Sequence, residues 1–217
     1  MQKLSLYPIN LDLKRKKCVV IGGGKVAMRK VKTLLKAQAQ VTVIAPSLAA
    51  SLVELAQAEV IVYKQKEYKS GDMTGFFLAI CATDSSFVNA EAAKEAKLKH
   101  ILVNVVDHSF PGDFTVPAQV SRGDLLLTVS TGGKSPALAR QLRIELEKEY
   151  GDTYGILLDI IEKVRLELKM VLPKSKEREQ FWQQAMNTKI LAFVKQGKLE
   201  EAEAEVRNAI DSFRSKS

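Results

Sequence analysis

Four short segments hold the residues whose types and spacing can do chemistry. GGGKVA at 22–27 has the spacing G-x-G-x-x-A. Gly22 permits a tight turn, Gly24 lets backbone approach a pyrophosphate, and Ala27 stands where a helix must pack closely on its sheet. Gly23, Lys25 and Val26 complete the turn and open the helix, whose first N–H groups have no partner of their own and can face a phosphate. Dinucleotide binding is the chemistry this pattern suits, with a purely structural glycine turn as the other reading.

The second and third segments, CATD at 81–84 and NVVD at 104–107, end apolar runs on polar residues. In an open α/β sheet that carboxyl edge is where ligands bind. Thr83 and Asp84 are therefore candidate cofactor contacts, although Asp84 is equally suited to cap the helix that follows. Asp107 is different, because HSFPGD after it reads as a loop; with nothing to cap, a general base is the reading left for it. His108 beside it reads as a loop histidine facing solvent or as a second polar contact. The fourth segment, STGGK at 130–134, is not a Walker loop, since that motif needs glycine where Thr128 stands. Gly132 and Gly133 before a helix still form an anion-accepting turn, or else a tight strand-to-helix connection.

The elements that must position these residues follow from periodicity. CVVI at 18–21, VTVIA at 41–45, VIVY at 60–63, FFLAICA at 76–82 and ILVNVV at 101–106 are continuous apolar runs of strand length. Such runs belong to a parallel sheet covered by helices on both faces. Helical stretches start after the glycine loop, over SLAASLVELAQ, and over SSFVNAEAAKEAKLK, giving a doubly wound α/β unit. The second run ends in Ala45, Pro46 and Ser47, where a dinucleotide-binding unit usually carries an acid for the ribose hydroxyls. The choice between NAD and NADP is therefore open at this position.

From residue 114 the rhythm changes. FTVPAQVSRGDLLLTVST reads as an antiparallel hairpin turning at Ser-Arg-Gly-Asp, and Ser135 and Pro136 mark the cap and first residue of a helix. The stretch after Gly151 is helical, with an expected buried stripe of Leu157, Leu158, Ile161, Val164, Leu168 and Val171 and a break at Pro173. The expected division is thus 1–113 for the nucleotide-binding domain, 114–150 for hairpin and helix, and 151–217 for a small all-helical region.

Composition narrows the function classes. The chain has 217 residues, 46% hydrophobic and 27% charged, with no apolar run near the roughly 20 residues that span a bilayer. Its N-terminus lacks the order of a signal peptide, so a cytoplasmic protein without a membrane partner is expected. Two cysteines inside strand-like runs and two histidines offer no ligand spacing for a structural metal, so no metal site is expected. The formal charge is +8, most of it before residue 114. Aromatics are only 6% and are not interleaved with the basic residues, so nucleic acid is not the expected partner and an acidic small molecule is.

Taken in order, YPINLDLKRKKCVVIGGGKVAMRKVKTLL, VTVIAP, CATD, NVVD and FTVPAQVSRGDLLLTVSTGGKSPALARQLR resemble the precorrin-2 dehydrogenase part of siroheme synthases, over residues 4–147. That resemblance implies a Rossmann-type domain, a hairpin-and-helix dimerisation segment at 114–150 that makes a homodimer, and a helical C-terminal region. It implies NAD as oxidant, held by Gly22, Gly23, Gly24, Lys25, Val26, Ala45, Pro46, Thr83 and Asp84. The implied substrate is a polycarboxylate tetrapyrrole, precorrin-2, oxidised to sirohydrochlorin with Asp107 as the catalytic residue. Asn104, His108, Ser130, Thr131, Gly132, Gly133 and Lys134 are the expected substrate contacts. Two other readings stay open: a bifunctional dehydrogenase and ferrochelatase, and a non-catalytic nucleotide- or tetrapyrrole-binding protein.

Overall fold

The computed structural model describes residues 6–106 and 112–214, and its contacts divide the chain at the Val116–Pro117 bond into two compact units. Asp107 and His108 lie outside the described residues.

The first unit opens with β1 (Lys17–Ile21), α1 (Lys25–Lys36), β2 (Gln40–Ala45), α2 (Ala50–Gln57) and β3 (Val62–Gln65). It closes with β4 (Leu78–Cys81), α3 (Ser86–Leu98) and β5 (Leu102–Val105). All pairings are parallel and the strand order is β3-β2-β1-β4-β5. The direction of winding therefore reverses between β1 and β4, which is where an open α/β sheet leaves a crevice at its carboxyl edge.

Alternate residues of each strand feed opposite faces. Cys18, Val20, Val41, Val43, Leu78 and Ile80 pack beneath α1 and α2, against Ala27, Val31, Leu34 and Leu52. Val19, Ile21, Ile44, Ala79, Cys81 and Val103 pack on the other face against Ala92, Ala93 and Ala96 of α3. Both faces are covered, which is why the runs are continuous rather than alternating. Both cysteines are fully buried and outside any disulfide, and burial pushes the Cys18 thiol up to about 11.

No helix joins β3 to β4; the chain returns over α3's face of the sheet through residues 66–77, with Tyr68, Met73 and Phe76 packed into that core. Glu95 of α3, itself buried, holds this connection. It accepts from the Tyr68 hydroxyl, from the Gly71 N–H at 2.9 Å and from the Met73 N–H at 3.4 Å. Burial, and then the bond to Glu95, pushes the Tyr68 phenol far above its ordinary range. At the other end of the sheet, β5 is an edge strand. Residues 112–114 run along it: the Asp113 carboxylate accepts the Val103 N–H at 3.0 Å, and Asn104 Nδ2 donates to the Phe114 carbonyl at 3.0 Å. A Cβ on Gly112 would lie 2.5 Å from the Val103 oxygen, so only glycine lets this segment approach so closely.

The second unit comprises β6 (Ala118–Arg122), β7 (Leu125–Val129), α4 (Pro136–Glu149), α5 (Thr153–Val171), α6 (Ser175–Ala185), α7 (Thr188–Lys195) and α8 (Leu199–Arg214). β6 and β7 form the antiparallel hairpin, but its turn is Gly123-Asp124 rather than the four residues expected. Gly123 alone has a left-handed φ, +55°, as a two-residue turn with glycine first requires. Ser121 and Arg122 stay paired because such a tight turn continues the ladder, and the Arg122 guanidinium is drawn onto the Glu147 and Tyr150 carbonyls. Ser135 caps α4, accepting the Leu138 N–H at 3.2 Å, with Pro136 at the first position as expected.

In α5 the buried stripe is Tyr154, Leu157, Ile160, Val164 and Leu168, continuing to Leu172. Leu158 and Ile161 are only half-buried and Val171 is exposed, because the stripe drifts by one residue at each end over five turns. Phe181, Ile190, Val194, Ala202 and Val206 from the last three helices complete this core. Among the described residues, no helix is long and apolar enough to cross a membrane.

Candidate dinucleotide cavity

A cavity of about 810 Å³ lies at the carboxyl edge of the first unit, lined by the ends of β1, β2 and β4 and by residues 67 and 68 beyond β3. Its floor is the glycine turn. Gly22 has φ +119°, and its N–H donates to the Ile44 carbonyl at 2.9 Å; a Cβ there would lie 2.3 Å from the Ala82 oxygen. Gly23 is equally confined, since a Cβ would lie 2.0 Å from the Ser47 oxygen, and its carbonyl accepts the Ala49 N–H at 2.8 Å. Those two glycines let β1's turn lock against the ends of β4 and β2.

Gly24 differs: nothing stands within 4 Å of where its Cβ would be. It is the N-cap of α1 in extended backbone, with no side-chain cap, and the first turn of α1 carries no acid. The first hydrogen bond of the helix runs from Met28 to Gly24, so the N–H groups of Lys25, Val26 and Ala27 have no partner within the helix. Free donors, the positive end of the helix dipole and the Lys25 ammonium thus meet open space beside Gly24, which suits an anion such as a pyrophosphate. Ala27, wholly buried, supplies the close contact between helix and sheet.

The second wall is the β2 end: Ala45 is buried, while Pro46, Ser47 and Leu48 face the cavity. The third is Thr83, Asp84 and Ser85 after β4. Ser85, not Asp84, caps α3, its Oγ accepting the Val88 N–H at 3.3 Å. That leaves Asp84 exposed at the cavity and free of a capping duty. Thr83 is held by Asn89, which is fully buried: Asn89 Oδ1 accepts from the Thr83 N–H at 3.1 Å and hydroxyl at 2.9 Å, and its amide donates to the Thr83 carbonyl at 3.0 Å. The polar end of β4 is therefore fixed from below.

Asn104 lies within β5, buried, with its amide on Phe114 and its Oδ1 without a partner among the described residues. Ser130, Thr131, Gly132, Gly133 and Lys134 belong to the second unit. They form an exposed turn in which both glycines have left-handed φ, +60° and +79°, and the Thr131 hydroxyl donates to the Ser135 carbonyl at 3.1 Å. A Cβ on either glycine would meet open space. Sequence reasoning missed Gly23's packing duty and overlooked Asn89, Glu95, Glu67 and Tyr68.

Comparison with known proteins gives a consistent result. Three family models match along the chain: "Putative NAD(P)-binding" over 9–118, "Sirohaem biosynthesis protein central" over 122–149, and "Sirohaem synthase dimerisation region" over 153–210. The chain is 40% identical to the siroheme synthase of Methylococcus capsulatus over 96% of its own length and 44% of that protein's. To the siroheme synthase of Photobacterium profundum it is 37% identical, over 96% of this chain and 45% of that one. The chain thus spans less than half the length of these relatives. A solved structure, "SirC, precorrin-2 dehydrogenase", superposes with a TM-score of 0.75 at 26% identity, over 94% of this chain and 100% of that one. With half of its length in the first of these matches, and the sirohaem models following it in order, the chain belongs to the putative NAD(P)-binding family of the siroheme-synthase type.

Proposed function

We propose that this protein oxidises precorrin-2 to sirohydrochlorin with NAD, in siroheme biosynthesis. The observation that carries the reading is the uncapped N-terminus of α1 facing an 810 Å³ cavity at the sheet's switch point. The likeness to siroheme synthases and to a precorrin-2 dehydrogenase supplies the substrate class. NAD in this cavity supplies the acceptor for a hydride. Gly24 and the N–H groups of Lys25, Val26 and Ala27 would receive its pyrophosphate, Ala45 and Pro46 its adenosine end, and Thr83 and Asp84 the side nearer β4.

The substrate must lose a proton as well as a hydride. In the sequence Asp107 comes two residues after Val105, the last residue of β5, and its carboxylate is the acceptor we assign to that proton. Asn104, His108 and the 130–134 turn are the proposed substrate contacts, the turn offering N–H groups to a substrate carboxylate. Loss of the carboxylate in Asp107→Asn should lower precorrin-2 oxidation about 100-fold, the scale for a positioned base, while calorimetric NAD affinity stays within twofold. Near-normal turnover in that variant would remove Asp107 from the mechanism. Absence of any pigment change when wild-type protein meets precorrin-2 and NAD would overturn the activity, and adding ferrous ion to the same cuvette asks whether chelation follows.

A homodimer is part of this reading, and the cytoplasm its expected location. The dimerisation model falls on 153–210, whereas the sequence directed attention to 114–150, where Leu126, Leu138 and Leu142 are exposed. Apolar surface of that kind on a small unit favours a partner copy. Light scattering that returns the monomer mass at micromolar concentration would refute it.

A further inference from the structure

The acid that normally ends β2 is missing: Ala45, Pro46 and Ser47 stand there, and none of them carries a carboxylate for the two ribose hydroxyls. Resting on the reading of this cavity as a nucleotide site, we infer that Glu67, from the neighbouring strand, supplies that carboxylate and makes the cavity select NAD over NADP.

Four observations place it. β3 lies parallel beside β2 with Gln65 opposite Ala45, and the ladder ends with the Lys66 N–H donating to the Ala45 carbonyl at 3.2 Å. Gln65 Nε2 reaches the Pro46 carbonyl at 3.5 Å. Glu67 comes directly after Lys66, at the carboxyl edge on the β2 side, and it lines the cavity together with Pro46 and Ser47. Its backbone is held from the other direction too, because Tyr68 donates to Glu95 and Glu95 also takes the N–H groups of Gly71 and Met73. Anchored neighbours fix where the Glu67 backbone stands, so that binding has only its exposed side chain to order.

The carboxylates around it are engaged: Asp72 is paired with Lys66, and Glu95 with Tyr68. Glu67 has no hydrogen-bond or ion-pair partner among the described residues. The other carboxylate lining the cavity, Asp84, ends β4, on the far side of β1 from β2. A carboxylate accepts both hydroxyls of an unmodified ribose through charge-assisted bonds. The same group faces a 2′-phosphate as like charge to like charge. One side chain therefore raises affinity for NAD and lowers it for NADP.

The test is calorimetric titration of NAD and of NADP into the wild-type protein, Glu67→Gln and Glu67→Arg, with thermal melting to confirm that all three fold alike. Glu67→Gln should weaken NAD about tenfold, the loss of charge-assisted bonds, and leave NADP equal or tighter. Glu67→Arg should reverse the preference. Wild-type protein that binds NAD while both variants keep its NAD-to-NADP ratio would overturn the role of Glu67 and leave the cavity's assignment standing. Wild-type protein that binds neither nucleotide would overturn both.

Discussion

Replacing Gly24 with Asp should separate fold from function, moving stability and cofactor affinity in opposite directions. Gly24 is the N-cap of α1, with φ −82° and ψ −173°, extended backbone that any residue adopts, and a Cβ there meets nothing within 4 Å. An aspartate at that place can accept the free N–H groups of the first turn, worth a few tenths of a kcal/mol over glycine as a cap. Its charge on the helix dipole adds about 0.3–1 kcal/mol, and a stiffer unfolded chain about 0.4–1 kcal/mol. The variant should therefore gain about 1–2 kcal/mol, raising Tm by roughly 2–8 °C for a chain of this size.

The same carboxylate occupies the seat assigned to the pyrophosphate. At about 4 Å and an effective dielectric near 20, each like-charge pair costs about 4 kcal/mol. Screening to a third of that still lowers affinity about tenfold, and the lost N–H donors lower it further. Thermal melting together with NAD titration reads both effects. A variant that melts higher and binds NAD as tightly as wild type would show that the α1 N-terminus does not carry the phosphates. One that melts far lower would show that the open space beside Gly24 is needed for the fold.

Two further outcomes follow from the packing. Gly155→Ala adds a Cβ 2.8 Å from the Arg122 carbonyl oxygen, so up to about 1 kcal/mol of helix propensity should be outweighed by about 1–3 kcal/mol of overpacking; an unchanged or higher Tm would refute that contact. Asp72 is half-buried, and that desolvation alone would raise its pKa, but Lys66 and the Lys69 N–H outweigh it and hold the carboxyl below its ordinary value. A depressed folded value means stability present above the free carboxyl range and lost as pH falls through the folded pKa. The urea midpoint of wild type should thus drop toward that of Asp72→Asn on acidification from pH near 5, and parallel curves would exclude the pair from the stability of the β3–β4 connection.

What the sequence made legible was what repeats or sits locally. Continuous apolar runs announced the four buried parallel strands, β1, β2, β4 and β5, and glycine spacing located the turn under the cavity, because both are properties of adjacent residues; the run at 60–63 gave only Val62 and Tyr63 to β3, a largely exposed edge strand that starts two residues later. The cap of α4 was legible for the same reason, as Ser135 and Pro136 act within one turn. Asp84 and Ser85 show the limit of such local rules. Either could cap α3, and the choice fell on Ser85 because Asn89 draws Thr83 inward and sets where the helix begins.

Glu95 was illegible for another reason. It sits among the alanines of α3 and serves a loop whose Tyr68 is 27 residues away, so no window of helical or strand length contains both ends of the bond. Its burial would be costly for an unpaired carboxylate, and the three donors that it gathers from Tyr68, Gly71 and Met73 are what make it tolerable. Those donors in turn hold the connection that carries Glu67 to the cavity. An acid missing from the second strand thus reads as a gap only along the chain; across the sheet, the neighbouring strand has one to offer.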